Sequence, residues 1–193
     1  MRQGGVIFLG GLVAGLALVQ LVGPALLEFD RSRMLQGAWW RLWTGQWVHL
    51  NWRHFLLNAA AIPLLALLYR EMTGWRTWAA FLLAGAPMLG VAIWFACPAI
   101  TRYAGLSGLL HGVYVLGALE MLYARRDRAW GAGLLLLVAV KLLTEADLTE
   151  HGLTAGLIGG PVLTDAHRFG ALIGVIFALV RYSCRHYSTK ELP

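Results

Sequence analysis

Charge is scarce in this sequence. Asp, Glu, Lys and Arg make up 13% of 193 residues, against 59% hydrophobic residues. A soluble domain of this size needs more charge to cover its surface, so a water-soluble globular fold is excluded. The mean hydropathy, +0.63, agrees. Cysteine is nearly absent: Cys97 and Cys184 fall near opposite ends of the membrane in the topology below, too far apart for a disulfide. There is no internal repeat, no low-complexity stretch and no sign of a second domain. There is no H-E-x-x-H and no i,i+4 histidine pair enclosing a carboxylate, so no metal or other cofactor is expected. Acidic residues are outnumbered 10 to 16, giving a net charge of +6. The basic residues sit mostly between apolar blocks, where they orient a chain in a bilayer; no nucleic-acid partner is expected.

What is abundant is apolar sequence in long blocks, the mark of a multi-pass membrane protein. Six helices are predicted, over 5–27, 51–70, 77–97, 105–123, 129–145 and 166–183. Each is near the roughly 20 residues that span the hydrocarbon core, the fifth being short. The first apolar run is too long for a secretory signal and has no evident cleavage site, so it is read as a retained anchor. Six crossings put both termini on one side. With the termini in the cytoplasm, the inner segments hold Arg2, Arg70, Arg76, Arg125, Arg126, Arg128, Arg181, Arg185 and Lys190. The outer ones hold Arg31, Arg33, Arg41, Arg53, Arg102 and Arg168, and the outer stretch 146–165 has acids (Asp147, Glu150, Asp165) but no Lys or Arg. That bias favours termini inside. The connection 28–50 carries Trp39, Trp40, Trp43 and Trp47, a composition suited to the headgroup layer at the membrane edge.

Ionisable and polar residues within spans need a reason. They fall in three clusters. Gly105-Leu106-Ser107-Gly108, followed by His111 and Gly112, opens the fourth helix at its outer end. A serine there often only caps the helix. Flanking glycines, however, allow unusual dihedrals around the hydroxyl, and N–H groups at a helix start bind a developing oxyanion. The second cluster is His167 with Gly170 and Gly174. Small residues one turn apart let helices approach closely in lipid, which would bring His167 to Ser107 at matching depth. His167 then becomes a candidate general base. No partner for its other ring nitrogen is evident; Asp165 is near in sequence but need not point there. The third cluster is His49, His54 and Asn58. His54 and Asn58 share a face of the second helix, either as oxyanion donors or as interhelical glue. Lys141 and Glu145, at i,i+4 in the fifth helix, read as a pair that makes both charges tolerable in lipid, with a role toward substrate as the alternative. Glu120 reads as a structural acceptor, and Gly11-x-x-x-Gly15 as a packing face.

Together these residues resemble the rhomboid family. Trp40-Arg41 is similar to its W-R motif, His49, His54 and Asn58 to its H-x-x-x-x-H-x-x-x-N, Gly105, Ser107 and Gly108 to its G-x-S-G, and His167, Gly170 and Gly174 to its H-x-x-G-x-x-x-G. The resemblance implies an all-α integral membrane fold, a six-transmembrane-helix bundle forming one domain over 1–193. It also implies a serine endopeptidase with a Ser107–His167 dyad in a water-filled cavity below the outer surface. Its oxyanion hole would draw on Leu106, Ser107, His54 and Asn58. His49, Gly105, Gly108, His111, Gly170 and Gly174 would line or support the site. Many rhomboids carry a tyrosine four residues after the serine, stacked on the histidine; here that position is His111. The phrases WWRLWTGQWVHLNWRHFLLN, GLSGLLHG and DAHRFGALIG resemble the rhombosortase subgroup most closely. That subgroup implies membrane-anchored protein substrates ending in Gly-Gly, an apolar helix and a basic tail. It also implies a place in the cytoplasmic (inner) membrane, with the site opening to the periplasmic side. Water, or an amine with access, would resolve the acyl-enzyme. The rivals are a small transporter or channel, which needs polar groups along a path across the bilayer, and an inactive rhomboid-like scaffold, which usually lacks the serine or the histidine.

Overall fold

The computed structural model describes residues 3–71, 73–124, 127–145 and 153–188, with the side chains of 153 and 186–188 left aside. Arg2, Arg125, Arg126, Lys190, Asp147 and Glu150, used above for orientation, lie outside the described residues. The elements run α1 (Gln3–Val22), α2 (Pro24–Leu27), β1 (Phe29–Asp30), α3 (Arg31–Leu35), α4 (Arg41–Thr44), α5 (Trp52–Leu68), α6 (Trp75–Ala96), β2 (Arg102–Tyr103), α7 (Ser107–Tyr123), α8 (Arg128–Thr144), α9 (Leu153–Ile158) and α10 (Thr164–Ser188).

The fold is mostly helical, and six of the helices are long. By length and composition three of them, α1, α6 and α10, are apolar enough to cross a membrane. Helices α5, α7 and α8 have 17 residues each, which is roughly 26 Å of rise against about 30 Å of hydrocarbon. The first helix stops at Val22, short of the expected 27, because Gly23 takes φ +94° and Pro24 opens the separate turn of α2. Large apolar side chains face outward, among them Ile7, Leu21, Phe95, Trp130 and Leu143. On a chain this poor in charge, such a surface belongs in lipid.

The connection between α1 and α5 is ordered by polar contacts to backbone. The buried Arg41 guanidinium donates to the carbonyl oxygens of Glu28, at 2.8 Å, and Ala25, at 3.1 Å. Arg31 reaches the C-terminal end of α6, donating to Trp94, Cys97 and Ile100 carbonyls at 3.0 to 3.1 Å. A cation there offsets the partial negative charge of the helix end. β1 pairs antiparallel with β2, Phe29 opposite Tyr103, which ties this connection to the segment just before Ser107. At Gly90 any Cβ would strike the Leu42 carbonyl, so α4 lies directly on α6.

The closest helix contact is between α7 and α10. A Cβ on Gly170 or Gly174 would collide with the carbonyls of Gly108 and Gly112 respectively, and one on Gly108 would come within 2.7 Å of the Ala166 carbonyl. At the other end of the same pair, the buried Glu120 accepts from Arg181 at 2.8 Å and Arg185 at 2.6 Å, while Arg181 also donates to Thr77 at 2.9 Å. A Cβ on Gly11 or Gly15 would meet nothing within 4 Å; the two glycines line a groove with Trp43, Thr44 and Trp47. Cys97 and Cys184 are both free.

A side chain on the α7–α10 seam must therefore push the helices apart. Gly170→Val should cost at least the ~1–3 kcal/mol typical of overpacking and lower the thermal midpoint in detergent. Gly133→Ala on α8, where a Cβ meets nothing within 4 Å, should leave it unchanged or slightly higher.

Candidate active site

Ser107 is the first residue of α7, and its hydroxyl does not cap the helix: the N-cap position is Leu106, and no side chain caps it. The Ser107 Oγ instead meets His167 Nε2 at 2.9 Å. His167 sits in the first turn of α10 and is buried. Both side chains line a cavity of about 310 Å³, with His54, Asn58 and His111 also on its wall. The crowding of α7 against α10 through glycines is what brings the two residues together. His111, one turn along α7, lies flat on the His167 ring, with centroids 4.1 Å apart and planes 15° apart. Its Nδ1 is 2.8 Å from the Ser107 carbonyl.

The other nitrogen of His167 is also engaged. Nδ1 is 2.8 Å from Glu145 Oε2, and Lys141 Nζ donates to both Glu145 oxygens at 2.9 Å. Lys141 and Glu145 do pair, but their pair is turned to the histidine. Asp165 is turned away, holding Arg168 at 2.9 Å and lying 3.8 Å from Cys97 Sγ. The Glu145–His167 contact is not among the expectations drawn from the sequence. Its signal was a carboxylate at the end of an apolar helix; no sequence spacing relates α8 to α10 across the bundle.

Gly105 precedes the serine with φ +145°, a conformation side chains avoid, and a Cβ there would come within 2.7 Å of His54 Cε1. The backbone thus lies directly on the His54 ring. Asn58 gives one amide N–H to the His54 carbonyl at 3.2 Å; its second N–H remains for the cavity. The N–H groups of Leu106 and Ser107 stand at the start of α7, where a helix leaves its first donors unpaired. His49 does not line the cavity. It is fully buried behind His54, rings 5.1 Å apart and perpendicular, and its backbone is clasped by Gln20 at 2.9 and 3.1 Å.

His111, Glu145 and His167 each place a possible metal-ligand atom within 4.8 Å of the others. The two rings are stacked, however, so their in-plane lone pairs run parallel instead of converging, and Glu145 is already shared by Lys141 and His167. These residues do not fit a metal.

A bundle with an apolar exterior and a serine–histidine contact in a cavity at one end defines a class: a helical membrane protein with a polar cavity at one end of the bundle. The family follows from comparison. Residues 36–184 match the Rhomboid domain, and the chain belongs to the rhomboid family. It is similar to the "Rhomboid-like protein 11, chloroplastic" of Arabidopsis thaliana, 26% identical over 148 residues, or 72% of this chain and 51% of that protein. The chain thus spans about half the length of the curated relative it matches.

His49 supplies a pH test of the site's foundation. Burial first, and the neighbouring His54 second, push its imidazole down to about 3. An unfolded histidine titrates near 6.5. The neutral ring therefore stabilises the fold fully above about pH 6.5, and this contribution is lost as pH falls towards 3. The thermal midpoint should drop between pH 7 and 4, and His49→Phe should drop less over the same range.

Proposed function

We propose that this chain is an intramembrane serine protease in which Ser107 is the nucleophile and His167 its general base. The observation that carries the reading is the 2.9 Å contact between Ser107 Oγ and His167 Nε2 inside a cavity. His167 takes the hydroxyl proton as Oγ attacks the scissile carbonyl, then gives it to the leaving amine. The oxyanion is held by the N–H groups of Leu106 and Ser107 with His54 and Asn58. In this reading all six long helices cross the bilayer. The 17-residue α5, α7 and α8 suffice because the site lies below the outer surface. The termini lie in the cytoplasm, and the cavity opens to the outer, periplasmic side of the inner membrane.

A serine-directed fluorophosphonate tests the nucleophile and separates a protease from an inactive scaffold or a transporter. It should label the wild-type protein at Ser107, and Ser107→Ala and His167→Ala should abolish labelling and cleavage while keeping the thermal midpoint. Near-normal proteolysis by Ser107→Ala would sink the assignment.

For the substrate, we propose rhombosortase-like cleavage of C-terminal Gly-Gly anchors, on the strength of the sequence resemblance and the position of the cavity. A site near the outer face reaches only bonds near the outer end of a substrate helix. An intact helix hides those carbonyls in internal hydrogen bonds. Each glycine weakens helix by about 1 kcal/mol, so a Gly-Gly pair at the helix entrance frays into extended backbone, and it suits a narrow cavity. A basic tail held in the cytoplasm sets that pair at the outer boundary. Replacing both glycines by leucine should slow cleavage strongly, with termini mapped by mass spectrometry. Equal cleavage of both anchors, or a cut at the cytoplasmic end, would refute this.

A further inference from the structure

We infer that Glu145 is a positioning residue for His167, so that Ser107, His167 and Glu145 act as a three-residue relay with Lys141 as its clamp. The inference rests on the protease reading above and adds to it the group that sets the histidine's proton and orientation.

Three observations meet here. The line Ser107 Oγ, His167 Nε2, His167 Nδ1, Glu145 Oε2 has contacts of 2.9 and 2.8 Å at its two ends. Glu145 is largely shielded, its side chain 12% exposed, and His167 is 4% exposed. Glu145 caps the C-terminal end of α8, where the helix presents partial negative charge and a carboxylate is electrostatically unfavourable. A residue chosen for helix stability alone would be neutral or basic there. Lys141, one turn back, neutralises that cost and fixes both carboxylate oxygens.

The chemistry follows from the acceptor. An ionised carboxylate only accepts hydrogen bonds, so the proton of neutral His167 resides on Nδ1 and the lone pair on Nε2 faces the serine hydroxyl. In acylation the Oγ–C bond forms, the carbonyl π pair moves to oxygen, and the Oγ proton moves to Nε2. The imidazolium that results lies beside the Glu145 carboxylate, which stabilises it without taking its proton. As the intermediate collapses, the C–N bond breaks and the Nε2 proton leaves on the amine. In deacylation Nε2 takes a proton from water as its oxygen attacks the acyl carbon, and Ser107 Oγ receives that proton on leaving. His111 contributes a flat surface to the imidazole, restricting its tilt while Glu145 restricts its rotation.

The test compares Glu145→Gln, Glu145→Asp and Asp165→Asn with wild type, in detergent and in proteoliposomes. Three quantities are read: the rate of fluorophosphonate labelling at Ser107, kcat and KM on the Gly-Gly anchor substrate, and the thermal midpoint. Glutamine matches glutamate in shape but its amide can offer Nδ1 a donor and select the wrong tautomer. The relay predicts that Glu145→Gln lowers labelling and kcat by about 10²-fold or more, with KM and the thermal midpoint little changed. It also predicts that Glu145→Asp, shorter but still anionic, labels faster than Glu145→Gln. Asp165→Asn, whose side chain points away, should match wild type throughout. If Glu145→Gln loses stability but its folded fraction is labelled at the wild-type rate, Glu145 is only glue and the relay is overturned. If glutamine outperforms aspartate, shape and not charge matters, and the relay is likewise overturned. Should Glu145→Gln fail to fold, Glu145→Ala takes its place, labelling of its folded fraction at the wild-type rate being the overturning result. A wild-type protein unlabelled at Ser107 removes the protease reading and the relay together. A labelled wild type with an equally labelled Glu145→Gln removes only the relay.

Discussion

The structure depends on how closely α7 approaches α10. Two glycine pairs, Gly108 with Gly170 and Gly112 with Gly174, let backbone meet backbone along the seam. In lipid there is no hydrophobic force to press helices together, so close van der Waals packing and interhelical polar contacts carry the association. Glu120 with Arg181 and Arg185 pins one end of the same seam. The Ser107–His167 contact forms at the opposite end, where each residue stands in the first turn of its helix. A separation wider by one methyl group would break a 2.9 Å hydrogen bond, because both side chains are short and their helices rigid.

Around that seam the structure spends polar groups to fix backbone. Arg41 donates into carbonyls at the end of the short α2 and Arg31 into those at the end of α6, and β1–β2 joins the connection between α1 and α5 to the segment that delivers Ser107. Gly105, pressed on His54, and His49 behind His54 continue the same chain of supports. The site is therefore braced from α5, α7, α8 and α10 at once. Such bracing suits chemistry that needs reacting atoms held within a few tenths of an ångström.

Polar groups concentrate at one end of the bundle in the cavity, while at the other end Glu120 pairs with Arg181 and Arg185. A continuous polar path between the two ends is what a channel would need. The large apolar residues between them, Leu109, Val113 and Leu116 on α7, are buried in the apolar core.

The amino-acid sequence by itself determined the class. Apolar blocks set the helices, paired small residues marked the α7–α10 face, and His167 and Ser107 stood out as polar groups at matching depth. These are one-dimensional signals, since periodicity and hydropathy are properties of a local stretch of chain. Local geometry corrected the details: Gly23 and Pro24 end α1 early, and Ser107 leaves the capping role to no side chain. Which groups meet across the bundle was decided only by tertiary structure. Lys141 and Glu145 were legible as an i,i+4 pair on one helix, because that spacing is fixed by the helix itself. Their alignment with His167, and the turning away of Asp165, depend on the rotation of α8 and α10 about their own axes. That rotation is set by the whole set of packed side chains, and no short stretch of sequence contains it.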